Sequence, residues 1–135
     1  MTYTKPLPVV DVWSRPFWEA CKQNKLVIHR CNQSGEYFYP CSPISPVTRT
    51  HDWSWVEVSG RGKIFSFVVM HQLYFKSFTD DIPYLIAQIQ LEEGPMLITN
   101  LVGMTREEVK MDMPVQVVFT EATDEITMPQ FTMIR

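Results

Sequence analysis

Hydrophobic and polar positions along the chain follow two different rhythms, and the change between them divides the sequence. The first stretch is short and helical. Ser14 offers an N-cap, Pro16 falls in the first turn where its missing N–H costs least, and Phe17-Trp18-Glu19-Ala20-Cys21-Lys22 follows, with Phe17, Trp18 and Cys21 on one arc. Asn24 or its neighbours end this helix. Before it, Met1–Asp11 carries Pro6 and Pro8 among apolar residues and reads as an extended arm. After it the period drops to two. Leu26–Arg30 and Tyr37–Tyr39 predict a small hairpin, and His51–Val58 alternates so that Trp53 and Trp55 share one face.

Beyond a turn at Ser59-Gly60-Arg61-Gly62 come five strand-like runs: Ile64–His71, Tyr84–Leu91, Met96–Leu101, Val115–Thr120 and Ile126–Ile134. Thr105-Arg106-Glu107-Glu108 has the spacing of a capping box, which predicts one helical turn between the third and fourth runs. Five strands with a short helix in that place is the order of an OB-fold barrel. Gly62, early in the first strand, fits a bend or bulge where such a barrel curls. The expected fold is mainly β, with an arm and short helix at 1–25, a ribbon hairpin at 26–56 and the barrel at 57–135.

Composition narrows the function. The chain has 135 residues, 45% of them hydrophobic, with eight Phe, five Tyr and four Trp, which is ample for a core and leaves no room for a large enzyme. A net charge of −3 argues against a general nucleic-acid binder, which needs a basic face to release counterions. Three cysteines, with no apolar run of membrane-spanning length and no secretory leader, predict a cytoplasmic protein.

The candidate chemistry lies between Cys31 and Thr48. Cys31 and Ser34 stand at knuckle spacing with Gly35 behind them, and Ser45 and Thr48 repeat that spacing. A structural zinc site needs four thiolates or imidazoles in a closed tetrahedron, and hydroxyls are poor substitutes. The frame is therefore that of a zinc ribbon with one of its four thiols, and zinc is expected to be absent. A set of His29, Cys31, Cys41 and His51 can be written as an alternative, but neither histidine is at knuckle spacing. Cys21, Cys31 and Cys41 could be thioester-forming nucleophiles, yet no base or helix N-terminus is visible beside them, and packing roles are preferred. His71 reads as a strand-end residue ahead of a substrate or partner contact. The long loop Gln72–Pro83 carries Tyr74, Phe75, Lys76 and Phe78. It either folds over its own barrel or faces a partner or ligand.

Several pieces together resemble one known family: small proteins with an N-terminal helix, a rubredoxin-like zinc ribbon and an OB-fold, associated with acyl-CoA metabolism and formerly a domain of unknown function. The pieces are Pro16-Phe17-Trp18-Glu19, Leu26–Cys31, Trp55–Phe67, Pro83-Tyr84, Glu92–Leu97, Asn100–Gly103 and Asp112-Met113-Pro114-Val115. In that family the positions of Cys31, Ser34, Ser45 and Thr48 are commonly cysteines. The resemblance implies a non-catalytic accessory subunit that binds a thiolase-like or hydratase-like partner, a thiolase, retro-aldolase or acyltransferase, and completes its acyl-CoA site. On that reading no residue here is catalytic, no cofactor is tightly bound, and acyl-CoA is met at the partner interface. Phe17, Trp18, Tyr74, Phe75 and Phe78 are then candidates for the partner or acyl-CoA surface, and Arg61 and Lys76 for contacts to coenzyme A phosphates. Competing readings are a single-stranded nucleic-acid-binding OB-fold and a stand-alone acyl-CoA-binding protein.

Overall fold

A computed structural model describes residues 3–134. Helix α1 (Arg15–Lys22) leads into a three-stranded antiparallel sheet of β1 (Val27–Cys31), β2 (Tyr37–Phe38) and β3 (Trp53–Glu57), in the order β2-β1-β3. Five strands then close a barrel: β4 (Arg61–Met70), β5 (Tyr84–Leu91), β6 (Met96–Leu101), β7 (Pro114–Glu121) and β8 (Thr127–Met133). Their order β4-β5-β6-β8-β7 is closed by pairing of β7 with β4, and β6 and β8 meet in parallel at Leu101 and Phe131. This is the OB-fold connectivity the sequence led to.

Helix α1 starts at Arg15 with Ser14 as N-cap residue, but the Ser14 hydroxyl makes no cap bond. Asp11 organises the approach, its carboxylate accepting the N–H groups of Trp13 (3.0 Å) and Ser14 (2.8 Å). These bonds hold the Asp11 carboxyl below its ordinary pKa. Thr105–Glu108 forms a turn and no helix. The Glu108 carboxylate accepts the Thr105 N–H at 2.8 Å, one arm of the expected capping box, but the segment after it does not continue helically. A single 3-10 turn occurs elsewhere, at Lys76–Phe78.

The first barrel strand begins at Arg61, three residues earlier than its apolar run, because β4 must pair on both sides to close the barrel. Gly62 faces Leu91 on one side and Val115 on the other. A Cβ there would sit 2.4 Å from the Gln90 carbonyl oxygen, so the glycine permits the close approach. The register shift itself falls three residues on, between Ile64 and Ser66.

One cluster of buried apolar residues runs from Phe17 and Cys21 on α1, through Leu26 and Ile28, into Ile64, Ile89, Val115 and Phe131 of the barrel. Phe17 is 8% exposed, which fits core packing, the favoured reading of its arc with Trp18 and Cys21, and removes it from the candidates for the partner or acyl-CoA surface. The helix is too short to present two aromatic faces, and the barrel flank takes Phe17 for its core.

Candidate functional site

Two places on the molecule carry unusual chemistry: the ribbon and the wall of the barrel. In the ribbon two of the four expected ligand positions are hydrogen-bonded to each other. Cys31 and Ser45 are fully buried, with Sγ and Oγ 2.7 Å apart. The Ser45 oxygen also accepts the N–H groups of Val47 (3.1 Å) and Thr48 (3.2 Å), which uses its two lone pairs and leaves its proton for the Cys31 sulfur. Thr48 pairs with the Thr50 hydroxyl at 2.9 Å, and Ser34 accepts the Glu36 N–H. One hydroxyl thus ties the two knuckles together. With one thiol and three hydroxyls engaged in local bonds, this donor set does not suit zinc.

The alternative ligand set does not assemble. His51 is exposed and Cys41 half-buried, and among the described residues no three His, Cys, Asp or Glu side chains are grouped for a metal. His29 has another role. It is buried, stacked on Trp53 at 3.7 Å between ring centres, with Trp55 (4.1 Å) and Phe38 (4.8 Å) edge-on. Neither ring nitrogen has a hydrogen-bond partner, and burial pushes its pKa down to about 4. The alternation that put Trp53 and Trp55 on one face therefore built this cage. Burial also pushes the Cys21 thiol up to about 12 and raises Cys41, so neither is a ready thiolate.

The candidate cations do not form one site. Arg61 is bound bidentately to Glu92, with Nε–Oε1 3.0 Å and Nη2–Oε2 3.2 Å, and this partner raises its pKa. Lys76 lies in the loop that follows the other end of β4, in the 3-10 turn Lys76–Phe78. Trp18 is half-buried and lines a small apolar groove of about 130 Å³ with Tyr39, Cys41 and Trp55. Tyr74 and Phe75 are 66% and 55% exposed. Phe78 folds back on the barrel instead, stacked on Tyr84 with ring centres 5.7 Å apart. His71 is exposed at the end of β4.

A signal that single-residue motifs do not show lies in the distribution of charge. Between Ile82 and Thr105 the only charged residues are Glu92 and Glu93, both in the turn joining β5 to β6, and Ile126–Ile134 has none. Charge sits at the barrel rims. On the outer wall Val68 faces Ile86 and Gln88 faces Ile98, and Val68 (55%) and Ile98 (73%) are exposed. Phe65, at the register shift, adds an exposed ring. A water-facing strand would ordinarily alternate apolar with polar and charged residues. Counting charge per strand face, and not only hydrophobicity, finds this wall.

The fold and this wall define an OB-fold protein with an appended ribbon hairpin and an uncharged outer face. Residues 55–120 match the model of the ChsH2 C-terminal OB-fold domain. A DUF35 domain-containing scaffold protein of Methanocaldococcus jannaschii is 31% identical over 110 residues, covering 80% of this chain and 77% of that protein. The chain belongs to the DUF35 family. It is also 35% identical to a probable enoyl-CoA hydratase alpha subunit of Thermomonospora curvata, over 94% of this chain but only 39% of that longer protein. Among solved structures, a chain of the Ltp2-ChsH2(DUF35) aldolase superposes with a TM-score of 0.84 at 35% identity, covering 94% of this chain and 98% of that one. No helix among the described residues is long and apolar enough to cross a membrane.

Proposed function

We propose that this protein is a non-catalytic accessory subunit of a thiolase-like enzyme that cleaves or transfers acyl groups on coenzyme A thioesters. The observation that carries the reading is the near end-to-end match to a DUF35 chain that forms part of an aldolase. The chemistry of the chain supports the same view. Its cysteines are buried or raised in pKa, its buried histidine is held neutral in an aromatic cage, and its bidentate ion pair is a rim contact. Such a set lacks an activated nucleophile with a base beside it. The catalytic groups then belong to the partner, and the uncharged wall around Val68 and Ile98, with Tyr74 and Phe75 at its end, is the surface that meets it. The lack of Lys or Arg on β5 and β6 counts against oligonucleotide binding on the face an OB-fold uses for it.

The ribbon enters this proposal as a zinc-free scaffold, its knuckles joined by the Cys31–Ser45 bond. Elemental analysis of protein purified without chelator checks it, and one equivalent of tightly held zinc overturns it. The functional reading is tested by affinity purification of the tagged chain from its native cells, beside a Val68→Glu, Ile98→Glu double variant. A thiolase-like or hydratase-like subunit should copurify with the wild-type chain, confer turnover of an acyl-CoA thioester, and be lost with the variant. Recovery of no such subunit sinks the proposal; equal recovery with both sinks the assignment of the wall.

A further inference from the structure

A cleft of about 270 Å³ opens where β5, β6 and β8 meet the long loop, on the strand pair and beside the loop that OB-folds use for ligands. Its floor is Leu101, Val102 and Met128, and the Phe78–Tyr84 stack forms one wall. The N-terminal arm lies across it. Lys5 reaches Asp81 at 2.7 Å, and its ammonium stands 5.6 Å from the centre of the Phe78 ring and 5.9 Å from that of Tyr3. The arm is thus latched to the loop by one ion pair and one ring contact, to Phe78, each weak at a solvent-exposed site, while the Tyr3 contact lies within the arm.

Two side-chain amides set the chemistry of the cleft. Asn100 Nδ2 donates to the Leu85 carbonyl at 3.3 Å, which leaves its Oδ1 as an acceptor. Gln130 Oε1 accepts from the Thr120 hydroxyl at 2.8 Å, which leaves its NH₂ as a donor. Among the described residues the ionic groups in the lining are Lys5 and Asp81, and they neutralise each other. A neutral acceptor and a neutral donor above an apolar floor complement a secondary amide carried on an apolar chain. With the arm in place the volume is at the lower end of ligand pockets.

We propose that this cleft binds an extended, uncharged, amide-bearing chain, and that residues 3–6 are a strap which the chain must displace. Resting on the proposed function, the chain is the pantetheine arm of an acyl-CoA thioester, its phosphates remaining outside. Binding exchanges the Lys5–Asp81 latch for amide bonds to Asn100 and Gln130.

The test is titration of the full-length ¹⁵N-labelled protein with D-pantetheine, with coenzyme A, and with a neutral amide-rich peptide. Pantetheine and coenzyme A should shift the signals of Leu101, Val102 and the two side-chain amides with dissociation constants within about threefold of each other. Asp81→Asn, which opens the latch, should tighten pantetheine binding about three- to tenfold. Met128→Trp, which fills the cleft, should weaken it at least tenfold, and Gln130→Leu, a change of similar volume, about fivefold with the fold unchanged by circular dichroism. No shift with either pantetheine or the peptide, or indifference to Gln130→Leu, overturns the site; shifts only with the peptide overturn pantetheine as its occupant; an unchanged or weakened affinity in Asp81→Asn overturns the strap. These outcomes are independent of copurification: a partner without pantetheine binding leaves the proposed function standing and removes this site.

Discussion

The ribbon and the barrel are both antiparallel sheets for most of their length, yet their interiors are made of different materials. Inside the barrel are Ile64, Leu85, Ala87, Ile89, Leu97, Val115 and Phe131, all apolar and all buried. Inside the ribbon are His29, Cys31 and Ser45, with Trp53 and Trp55 packed over the histidine. The barrel closes, though β6 and β8 meet at a single residue pair, and its buried aliphatic surface holds the strands around one core. A sheet of three short strands has two edges and little aliphatic area. It must be held by specific contacts, and those present here include a stacked imidazole and a thiol–hydroxyl bond.

The barrel half of the comparison predicts the largest effect. Phe131 is fully buried, pairs with Leu101 on one side and Val117 on the other, and so sits where the barrel closes. Phe131→Ala should cost about 3–5 kcal/mol, read as a lower urea midpoint for the whole chain. A loss below about 1 kcal/mol would mean that the barrel is not the dominant core.

The ribbon should answer to acid instead. His29 has a pKa of about 4 in the fold against an ordinary value near 6.5, so between those limits the unfolded chain binds a proton that the folded chain does not. Its stability contribution is complete above about pH 6.5 and falls as pH drops towards 4, by up to about 3 kcal/mol. Urea melts at pH 7 and pH 5 measure this. His29→Phe, which suits the aromatic cage, should flatten the slope over that range; an unchanged slope would remove the imidazole from the account.

The same contrast explains what could be read from sequence. The barrel was legible because period-two patterning in 64–134 and turn residues at Gly94-Pro95 report directly on which face is buried. The knuckle frame was legible as spacing, and so was the shared face of Trp53 and Trp55. The Cys31–Ser45 bond was not, since spacing marks missing thiols and says nothing of what hydroxyls do when two knuckles close. Arg61 was legible as a cation near the barrel, but its bidentate bond to Glu92 was not, since the partner lies 31 residues away in sequence. The arc of Phe17, Trp18 and Cys21 was legible as the packing side of α1, and Phe17 and Cys21 are buried there.

Replacing Ser45 probes the ribbon without touching its rings. Ser45→Ala removes the acceptor for two backbone N–H groups and the donor to Cys31 Sγ in a buried site, a loss of about 1–3 kcal/mol. Hydrogen exchange should show faster opening at Val47, Thr48 and β1 while β5 and β6 remain protected. Equal loss of protection in both regions would make ribbon and barrel one cooperative unit, and the contrast between them would fail. Ser45→Cys sharpens the same point: it adds a second thiol but not a ligand set, and should acquire no stoichiometric zinc.

The joint between the two regions carries the smallest expected effect. Glu93, in the β5–β6 turn, accepts the Ser59 N–H at 2.9 Å and its hydroxyl at 3.4 Å, which pins the end of the ribbon sheet to the barrel rim. Beside it the Arg61–Glu92 pair links residues of adjacent paired strands and is exposed on both sides. The backbone bond from Glu92 N–H to Arg61 O (3.0 Å) already fixes that contact. Glu93→Ala should therefore cost about 0.5–1.5 kcal/mol and loosen the Ser59–Gly60 turn in hydrogen exchange, whereas Arg61→Gln should leave the urea midpoint unchanged. If the two substitutions exchanged their effects, the ion pair and not the turn carboxylate would hold the ribbon to the barrel.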